Sequence, residues 1–427
     1  MALSNRAKRI IKNNYLSFRR KAKKVLFAVP FWVLLVGVAL TSTGIGRFIY
    51  LVNIRHDQDM ASYWTADSEV PYRHMSVYGR GARPGSTDTP PLYINQSESL
   101  SRSDIVTMRT SLQTLADSGR SSSGKSGLDA DGRPRGWEDC FSSYLTGSIE
   151  TVALPEETTA FNMTSTCDVV AVEGNYAVFH PFSYMSGGFL PETVTDSRQI
   201  VLNDVLAWKF YKSYDVIGNK VKLWGQEFTI IGVVTEPNDG IANSAGTNNP
   251  RVYVYFTAME NFAPLTSPDS VTGSGSNGNN SSQAQATPTP AAAAAVTGAA
   301  GAAQSGSTSV RPTMAVMCYE AMLPEAVPGV AKNDMSSSVP NYNPATPNFY
   351  VISNTERFGV LSTWRFMWPI GKTQSALSVY DFPFWEKTAQ LTQQHLFADE
   401  ILTVVGVLAL CSGTVMAILR HRKMSRK

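Results

Sequence analysis

Charged residues are missing from two stretches of this 427-residue sequence, residues 25–46 and residues 401–419. Each stretch is close to the ~20 apolar residues that an α-helix needs to cross the hydrocarbon core of a bilayer. A cleaved signal peptide is the alternative for the first stretch. Its length and the lack of a clear A-x-A site after it favour an uncleaved anchor. The sequence therefore predicts two transmembrane helices, 25–46 and 401–419.

Acidic residues are missing from the first 24 residues, which carry nine Lys or Arg. Residues 420–427 are basic as well. Because cytoplasmic flanks of membrane spans are rich in Lys and Arg, we expect a multi-pass protein of the cell membrane with both termini in the cytoplasm. The large region between the spans is then extracytoplasmic. These basic flanks suit the anionic surface of the lipid bilayer and give no reason to expect nucleic acid as a partner.

The segment 1–24 mixes apolar residues with its cations, and it is interpreted as an amphipathic helix on the inner membrane surface. A disordered basic tail is the alternative. Between the spans we expect a first domain part over 47–263, a flexible low-complexity linker over 264–312, and a second domain part over 313–380. The linker is expected because residues 270–310 carry no charge and few large apolar side chains.

Cysteine is rare, with four in the chain, and Cys411 lies in the second predicted span. The other three, Cys140, Cys167 and Cys318, lie in the extracytoplasmic region, where a disulfide can persist. An odd number leaves at least one unpaired. A Cys140–Cys167 disulfide and three buried free thiols remain equal alternatives.

Signals of enzyme chemistry are also missing. The five histidines are not spaced as metal ligands, and no G-x-S-x-G motif occurs. Residues 119–126 spell the G-x-x-x-x-G-K-S pattern, but a helical segment precedes them and a Gly/Pro-rich loop follows, whereas a phosphate-binding loop needs a strand before it and a helix after it. Residues 273–278 spell G-x-G-x-x-G inside the uncharged linker. The sequence predicts no catalytic residue, no metal site and no cofactor, and it leaves any binding residues unknown.

Apolar periodicity between the spans predicts an α+β domain with a mixed sheet. The segment Phe228–Val234 is almost continuously apolar, so we expect it to be a central strand covered on both faces. The other predicted strands are Tyr72–Tyr78, Val169–Val172, Gln199–Leu202, Lys220–Leu223, Val252–Phe256, Thr313–Tyr319 and Asn348–Ile352. The predicted helices are Ser101–Ala116, with Ser101 or Ser103 as its cap, and Asp204–Tyr211.

Aromatic residues are concentrated before the second span. We expect a juxtamembrane helix over 381–400 that continues into the bilayer, with Asp381 as its N-cap and Pro383 in its first turn. Core packing and anchoring at the membrane interface are the favoured roles of the aromatics, over ligand binding. They are Trp364, Phe366, Trp368, Phe382, Phe384 and Trp385.

Five short motifs follow one another in a fixed order between residues 173 and 234. They are Glu173-Gly-Asn-Tyr176, Ser186-Gly-Gly-Phe-Leu190, Ile200-Val-Leu-Asn-Asp-Val-Leu-Ala207, Ile217-Gly-Asn-Lys-Val-Lys-Leu223 and Phe228-Thr-Ile-Ile-Gly-Val-Val234. In this order they resemble the MacB-like periplasmic core domain of MacB/FtsX-type ABC transporter permeases. The motif residues themselves suit structural roles. Gly218, Gly225 and Gly232 suit turns or close backbone approach, and Asn203 suits a helix cap.

The resemblance implies a permease-like membrane subunit that couples a partner ABC ATPase, or a full-length permease, to an extracytoplasmic domain. A homo- or hetero-dimer is compatible with it. Such permeases usually carry four spans, whereas two are predicted here, and no ATP-binding domain is recognised. The alternative is a membrane-anchored binding or sensing module without transport activity.

Overall fold

The computed structural model describes residues 29–66, 68, 70–79, 99–118, 127–130, 132–152, 163–263, 314–344, 348–368, 380 and 382–425. Several predicted features lie outside these residues. They are the basic segment 1–24, the linker 264–312, the glycine-rich sequences 119–126 and 273–278, and the proposed cap Asp381.

The described chain forms helices at both ends and a mixture of strands and helices between them. The helices are α1 Val29–Ile54, α2 Met60–Ala66, α3 Arg102–Ser118, α4 Tyr176–Phe179, α5 Asp204–Tyr211, α6 Gly240–Ser244, α7 Phe256–Phe262, α8 Val330–Ser338, α9 Val360–Met367 and α10 Phe384–Ser425. The strands are β1 Tyr72–Gly79, β2 Glu138–Thr151, β3 Thr164–Gly174, β4 Ser183–Gly187, β5 Gln199–Asn203, β6 Lys220–Leu223, β7 Gln226–Thr235, β8 Arg251–Tyr255, β9 Cys318–Pro324 and β10 Phe349–Ser353.

Helices α1 and α10 are each long and apolar enough to cross a bilayer, and they pack against one another. The packing is close because small residues lie between them: a Cβ atom added to Gly406 would be 2.6 Å from the backbone nitrogen of Thr41. Glycines at such positions let two helix backbones approach in a membrane. The pairs in contact run in opposite directions along the two helices: Leu34 with Gly413, Gly37 with Leu410, Thr41 with Gly406, and Gly44 with Thr403.

All ten strands belong to one sheet, in the order β10-β1-β9-β2-β3-β8-β5-β7-β4. The short strand β6 pairs with both β2 and β7. The pairings β2-β3-β8-β5-β7-β6-β2 therefore form a closed circuit of six strands. Both parallel and antiparallel pairs occur in it, so the sheet is mixed.

Strand β2 joins this circuit to the rest of the sheet. Its first residues pair with β9, its last residues pair with β6, and its other edge pairs with β3 along eleven residues. One hydrophobic core lies against this sheet, and its largest fully buried apolar side chains include Trp137, Phe141, Phe228 and Phe256.

The sequence predicted much of this arrangement. The predicted α+β fold is confirmed, and the predicted bounds of α5 and β6 agree with those observed. Strand β7 is hydrogen-bonded along both edges, with β5 on one edge and with β4 and β6 on the other. The residues in its first half alternate between buried and partly exposed. Coverage on both faces is limited to its second half. The predicted strand Thr313–Tyr319 is displaced, since β9 begins at Cys318.

A Cys140–Cys167 disulfide, one of the two alternatives, is wrong. Both residues are free and buried, as is Cys318. Cys140 lies opposite Gly174 in the pairing of β2 with β3, and Gly174 is seven residues beyond Cys167 on the same strand (174 − 167). At about 3.3 Å per residue that is ~23 Å, far beyond the reach of a disulfide. Burial raises the pKa of the Cys140 thiol well above its usual value.

Candidate functional site

The outer part of α10 enters the core of the folded domain. Trp385, Ala389 and Leu396 are buried, which suits a helix packed on a core. Four polar side chains of the same stretch are buried as well, namely Glu386, Thr388, Thr392 and Gln393. A buried polar group is costly without hydrogen bonds. The hydrogen-bond partners of these four side chains show where α1 and α10 are attached to the domain.

The strongest attachment is a pair of buried ions. Nη1 and Nη2 of Arg357 donate to the two carboxylate oxygens of Glu386 at 2.7 and 2.9 Å. The two side chains are only 4% and 1% exposed. Nη2 of Arg357 also donates to Oε1 of Gln393 at 3.0 Å, and the amide of Gln393 returns a bond to the Arg357 carbonyl. Two turns of α10 are thus fixed to the segment that follows β10.

The charge of Arg357 is stabilised in this position. Burial alone disfavours a charged guanidinium, yet the adjacent carboxylate of Glu386 outweighs burial and raises the pKa of Arg357. A bidentate arginine–carboxylate pair fixes both distance and orientation. We therefore expect α10 and this segment to move as one body.

The network continues from Arg357 into the sheet. Nη1 of Arg357 donates to Asn354, and Asn354 donates to Oγ of Ser76 on β1 at 2.6 Å. Ser76 in turn donates to Glu320 on β9 at 2.9 Å. These bonds connect α10 to two adjacent strands through side chains alone.

The network ends inside the domain at Glu320, which several side chains contact. Its carboxylate oxygens lie 3.0 Å from Nε2 of His74 and 2.6 Å from Nε2 of His180. Burial alone would raise the pKa of Glu320, but the charge and hydrogen bond of His180, with those of His74, outweigh burial and lower the pKa below its usual range. The buried carboxylate is thereby kept charged.

A second attachment joins α1 to the domain. Arg55, the residue after α1, is 1% exposed, and its guanidinium pairs with Asp239 at 2.8 Å. Its Nε atom donates to Oγ1 of Thr392 on α10 at 3.0 Å. Asp239 is the N-cap of α6, where it accepts hydrogen bonds from two backbone amides. One arginine thus links α1, α10 and the segment after β7.

A third attachment lies at the first turn of α10. The guanidinium carbon of Arg251, on β8, is 3.6 Å from the ring centroid of Phe384, a short cation–π contact. Arg251 is itself buried and forms an ion pair with Glu236. Tyr253 donates to the other oxygen of Glu236 at 2.5 Å. Burial raises the pKa of Glu236 to about 7, although Arg251 and Tyr253 act in the opposite direction.

We call these three attachments together the joint. Its residues are Arg55, Ser76, Asp239, Arg251, Glu320, Asn354, Arg357, Phe384, Glu386, Thr392 and Gln393. A cavity at the joint has a volume of about 50 Å³ and is bordered by His180, Trp385 and Glu386. That volume admits a few water molecules and is far smaller than a typical small-molecule site.

Apart from Phe384, the joint consists of residues that no sequence pattern singled out. The buried arginines and carboxylates were not predicted, and the histidines that meet at Glu320 are 106 positions apart (180 − 74). Within the described residues no group of three or more His, Cys, Asp or Glu side chains is arranged to hold a metal ion. The joint consists of ion pairs, hydrogen bonds and one cation–π contact between structural elements.

The residues that the motifs singled out take the local positions predicted for them, a helix cap, turns and a close backbone approach. Oδ1 of Asn203 accepts from the backbone nitrogen of Leu206 and caps α5. Gly218 and Gly225 have φ of 85° and 76°, a region that favours glycine. A Cβ atom on Gly232 would be 2.0 Å from the carbonyl oxygen of Gly188, so the two backbones touch there.

The aromatics before the second span separate into two groups. Phe382 and Trp385 are buried in the core of the domain, whereas Trp368 is 65% exposed. Pro383 precedes α10, and its carbonyl accepts from the backbone nitrogen of Lys387. It therefore lies at the cap position and not in the first turn.

Comparison with known proteins identifies the domain. Residues 95–304 match the family model of the MacB-like periplasmic core domain, a range that includes all five motifs. Comparison with curated protein sequences gives no match.

Solved structures of this kind are similar at low sequence identity. The periplasmic region of MacB from Actinobacillus actinomycetemcomitans is 12% identical, with a TM-score of 0.35 over 66% of this chain and 89% of that chain. The extracellular domain of the noncanonic ABC-type transporter YknZ from Gram-positive bacteria is 9% identical, with a TM-score of 0.33 over 65% of this chain and 99% of that chain. The family match and the two long apolar helices together show a MacB-like periplasmic core domain that lies between two candidate membrane spans.

Proposed function

We propose that this chain is a permease-like subunit of an ABC-type transporter assembly and that it transmits motion between its two membrane helices and its extracytoplasmic domain. Both termini lie in the cytoplasm in this proposal, because basic residues flank both spans. A partner ABC ATPase, alone or with a full-length permease, supplies the energy from that side.

The bidentate contact between Arg357 and Glu386 carries the proposal. Glu386 lies on α10, a continuous helix of 42 residues that includes the second span. A continuous helix transmits a displacement along its axis, and the buried ion pair fixes its outer end to the segment after β10. Arg55 does the same for α1. A hinge or a loose contact at these positions would absorb the motion.

The size of the cavity at the joint supports transmission over ligand capture at this position. Its volume of about 50 Å³ is far below that of a typical small-molecule site. Aromatic side chains such as Phe182 and Trp385 line much of the cavity, and His74, Glu320 and Glu386 lie among its polar residues. A membrane-anchored binding or sensing module remains the competing hypothesis, and the experiment below distinguishes the two.

The test is a crosslinking pull-down of the tagged full-length chain from its own membranes, followed by mass spectrometry. Recovery of an ABC ATPase, with or without a four-span permease, is the expected result. Recovery of envelope proteins alone would favour the binding module and contradict the proposal.

A matched variant separates assembly from transmission. The double replacement of Arg357→Met and Glu386→Leu removes both charges and keeps similar volumes. We expect this variant to recover the same partners, since the joint lies on the domain side, but to change ATP turnover in the isolated assembly. Unchanged turnover would show that the joint has no part in coupling.

A further inference from the structure

Helix α9 presents an unusual surface between the domain and the second span. Its side chains at 361, 364 and 365, together with that of its C-cap residue Trp368, follow the i, i+3, i+4, i+7 spacing of one helix face. On this face Leu361 is 72% exposed and Trp368 is 65% exposed. The opposite face is buried, with Thr363 and Met367 at 0% and 8%. Large apolar side chains on the outside of a domain mark a contact surface.

The position of α9 along α10 identifies what this surface contacts. The ring of Trp364 packs on the ring of Phe397, with centroids 4.8 Å apart. Phe397 is four residues before Ile401, where the uncharged run begins, which is about 6 Å along the helix axis. The ion pair of Arg47 with Asp399, at 3.2 Å, marks the same level on both membrane helices. Charged and aromatic residues of this kind lie at the boundary between lipid and water.

The composition of the exposed face fits that boundary. Tryptophan is enriched at the interface because its ring is apolar and its N–H group is polar. Arg365 is exposed between Trp364 and Trp368, where its guanidinium can meet a lipid phosphate. The three side chains border one shallow, mostly apolar depression.

We propose that α9 is an interfacial helix that inserts Leu361 and Trp368 into the outer leaflet of the bilayer, with Arg365 at the phosphate level. The domain would then be held on the membrane at a third place, beside α1 and α10. Amphipathic helices of this kind lie in the interface with their apolar face about 5–10 Å deep.

Site-directed spin labelling of the full chain tests the insertion. Leu361→Cys is labelled in a Cys411→Ser background, since the other three cysteines are buried. The protein is placed in nanodiscs of phosphatidylcholine and phosphatidylglycerol. Collision of the label with oxygen, which concentrates in lipid, is compared with collision with a water-soluble nickel chelate. Native Cys411, exposed in the second span, is the lipid reference, and Val106→Cys, on the exposed side of α3, is the reference in the folded domain.

We expect the label at position 361 to favour oxygen over the nickel chelate by about threefold or more relative to the label at position 106, as an inserted side chain would. A ratio equal to that at position 106 would overturn the proposal. Low collision with both reagents would also overturn it, because it would mean that protein, such as a second copy of the chain, covers the face.

Discussion

The buried ion pair of Arg357 with Glu386 is the residue-scale feature on which attachment of α10 depends. Replacement of Glu386→Ala leaves the guanidinium buried without its main partner. Loss of one member of such a pair costs about 3–5 kcal/mol. We therefore expect the free energy of unfolding to fall by that amount, measured by denaturant titration of the detergent-solubilised chain with tryptophan fluorescence as the signal.

The matched control is Glu227→Ala. Glu227 pairs with Lys220 at 2.9 Å, a similar distance, but the two side chains are 53% and 55% exposed. Exposed pairs contribute little because water and salt screen them. Equal losses of stability in the two variants would contradict the importance of burial at the joint.

Glu236 is a single residue that makes the stability of the folded domain depend on pH. Its pKa is raised from 4.5 to about 7, first of all by burial. The folded state therefore binds the proton more tightly than the unfolded state. The stability that this group contributes is fully present below pH 4.5 and is lost as the pH rises through about 7.

The replacement Glu236→Gln tests this dependence with a side chain of the same shape that does not titrate. In the native chain, ionisation of Glu236 lowers the free energy of unfolding between pH 5 and 8. We expect this part of the decrease to be absent in the variant. Every other titratable side chain is the same in the two proteins, so the difference between the two curves isolates Glu236. Parallel curves would show that Glu236 does not change its protonation in this range.

At this scale the sequence predicts only what is local. The cap at Asn203 was predictable because Leu206, which it binds, is three residues away. The partners Arg357 and Glu386 are separated by 29 residues, and Glu320 and His74 by 246. No short pattern marks such residues as buried, because their burial depends on where the fold brings a partner.

The contact of α1 with α10 is the element-scale feature that is most sensitive to small changes. Replacement of Gly406→Ala would place a methyl group 2.6 Å from the backbone nitrogen of Thr41. The two helices must separate to admit it. We expect the detergent-solubilised variant to unfold at lower SDS concentration than the native chain, with circular dichroism as the signal.

Gly46→Ala is the matched control on α1. A Cβ atom there would meet nothing within 4 Å. Alanine also favours a helix by about 1 kcal/mol relative to glycine, so this variant should be unchanged or more stable. If Gly406→Ala were as stable as Gly46→Ala, the close packing of the two helices would be wrong.

Strand prediction succeeded where apolar residues mark the strand and failed where they do not. β7 and β8 are rich in Val, Ile, Phe or Tyr and were predicted within two residues of their observed ends. β2, the longest strand, was missed. Its sequence contains adjacent small polar residues, Ser142 and Ser143, that are typical of loops. Both are buried in the sheet, and Ser143 donates to the carbonyl of Ala315.

At the scale of the whole molecule, two apolar runs and five ordered motifs were sufficient to predict the two long apolar helices and the type of domain. The closed circuit of six strands could not be predicted from the sequence, because it depends on β6 pairing with β2, which is far away along the chain. The same holds for the joint. The sequence predicted that a helix continues from the domain into the bilayer, but not that ion pairs hold it.

If those ion pairs hold α10 and α1 rigidly, we expect the domain and the two long helices to move as one body. Native Cys411 on α10 and Val106→Cys on α3 provide two label positions, one in the span and one in the domain. α3 is itself fixed to β2 by Arg109, which pairs with both oxygens of Asp139 at 2.6 and 2.9 Å. A distance between the labels therefore reports how rigidly the domain is held on the helix pair.

We expect pulsed electron paramagnetic resonance on the doubly labelled chain in nanodiscs to give one narrow distance distribution. With Arg357→Met and Glu386→Leu the directional hydrogen bonds are gone while similar volumes remain, so the distribution should broaden. Removal of the exposed pair, by Lys220→Gln and Glu227→Gln, should leave its width unchanged. A distribution as narrow in the joint variant as in the native chain would mean that apolar packing around Trp385 and Leu396 alone holds the domain, and that displacement of α10 reaches the sheet without the ion pairs.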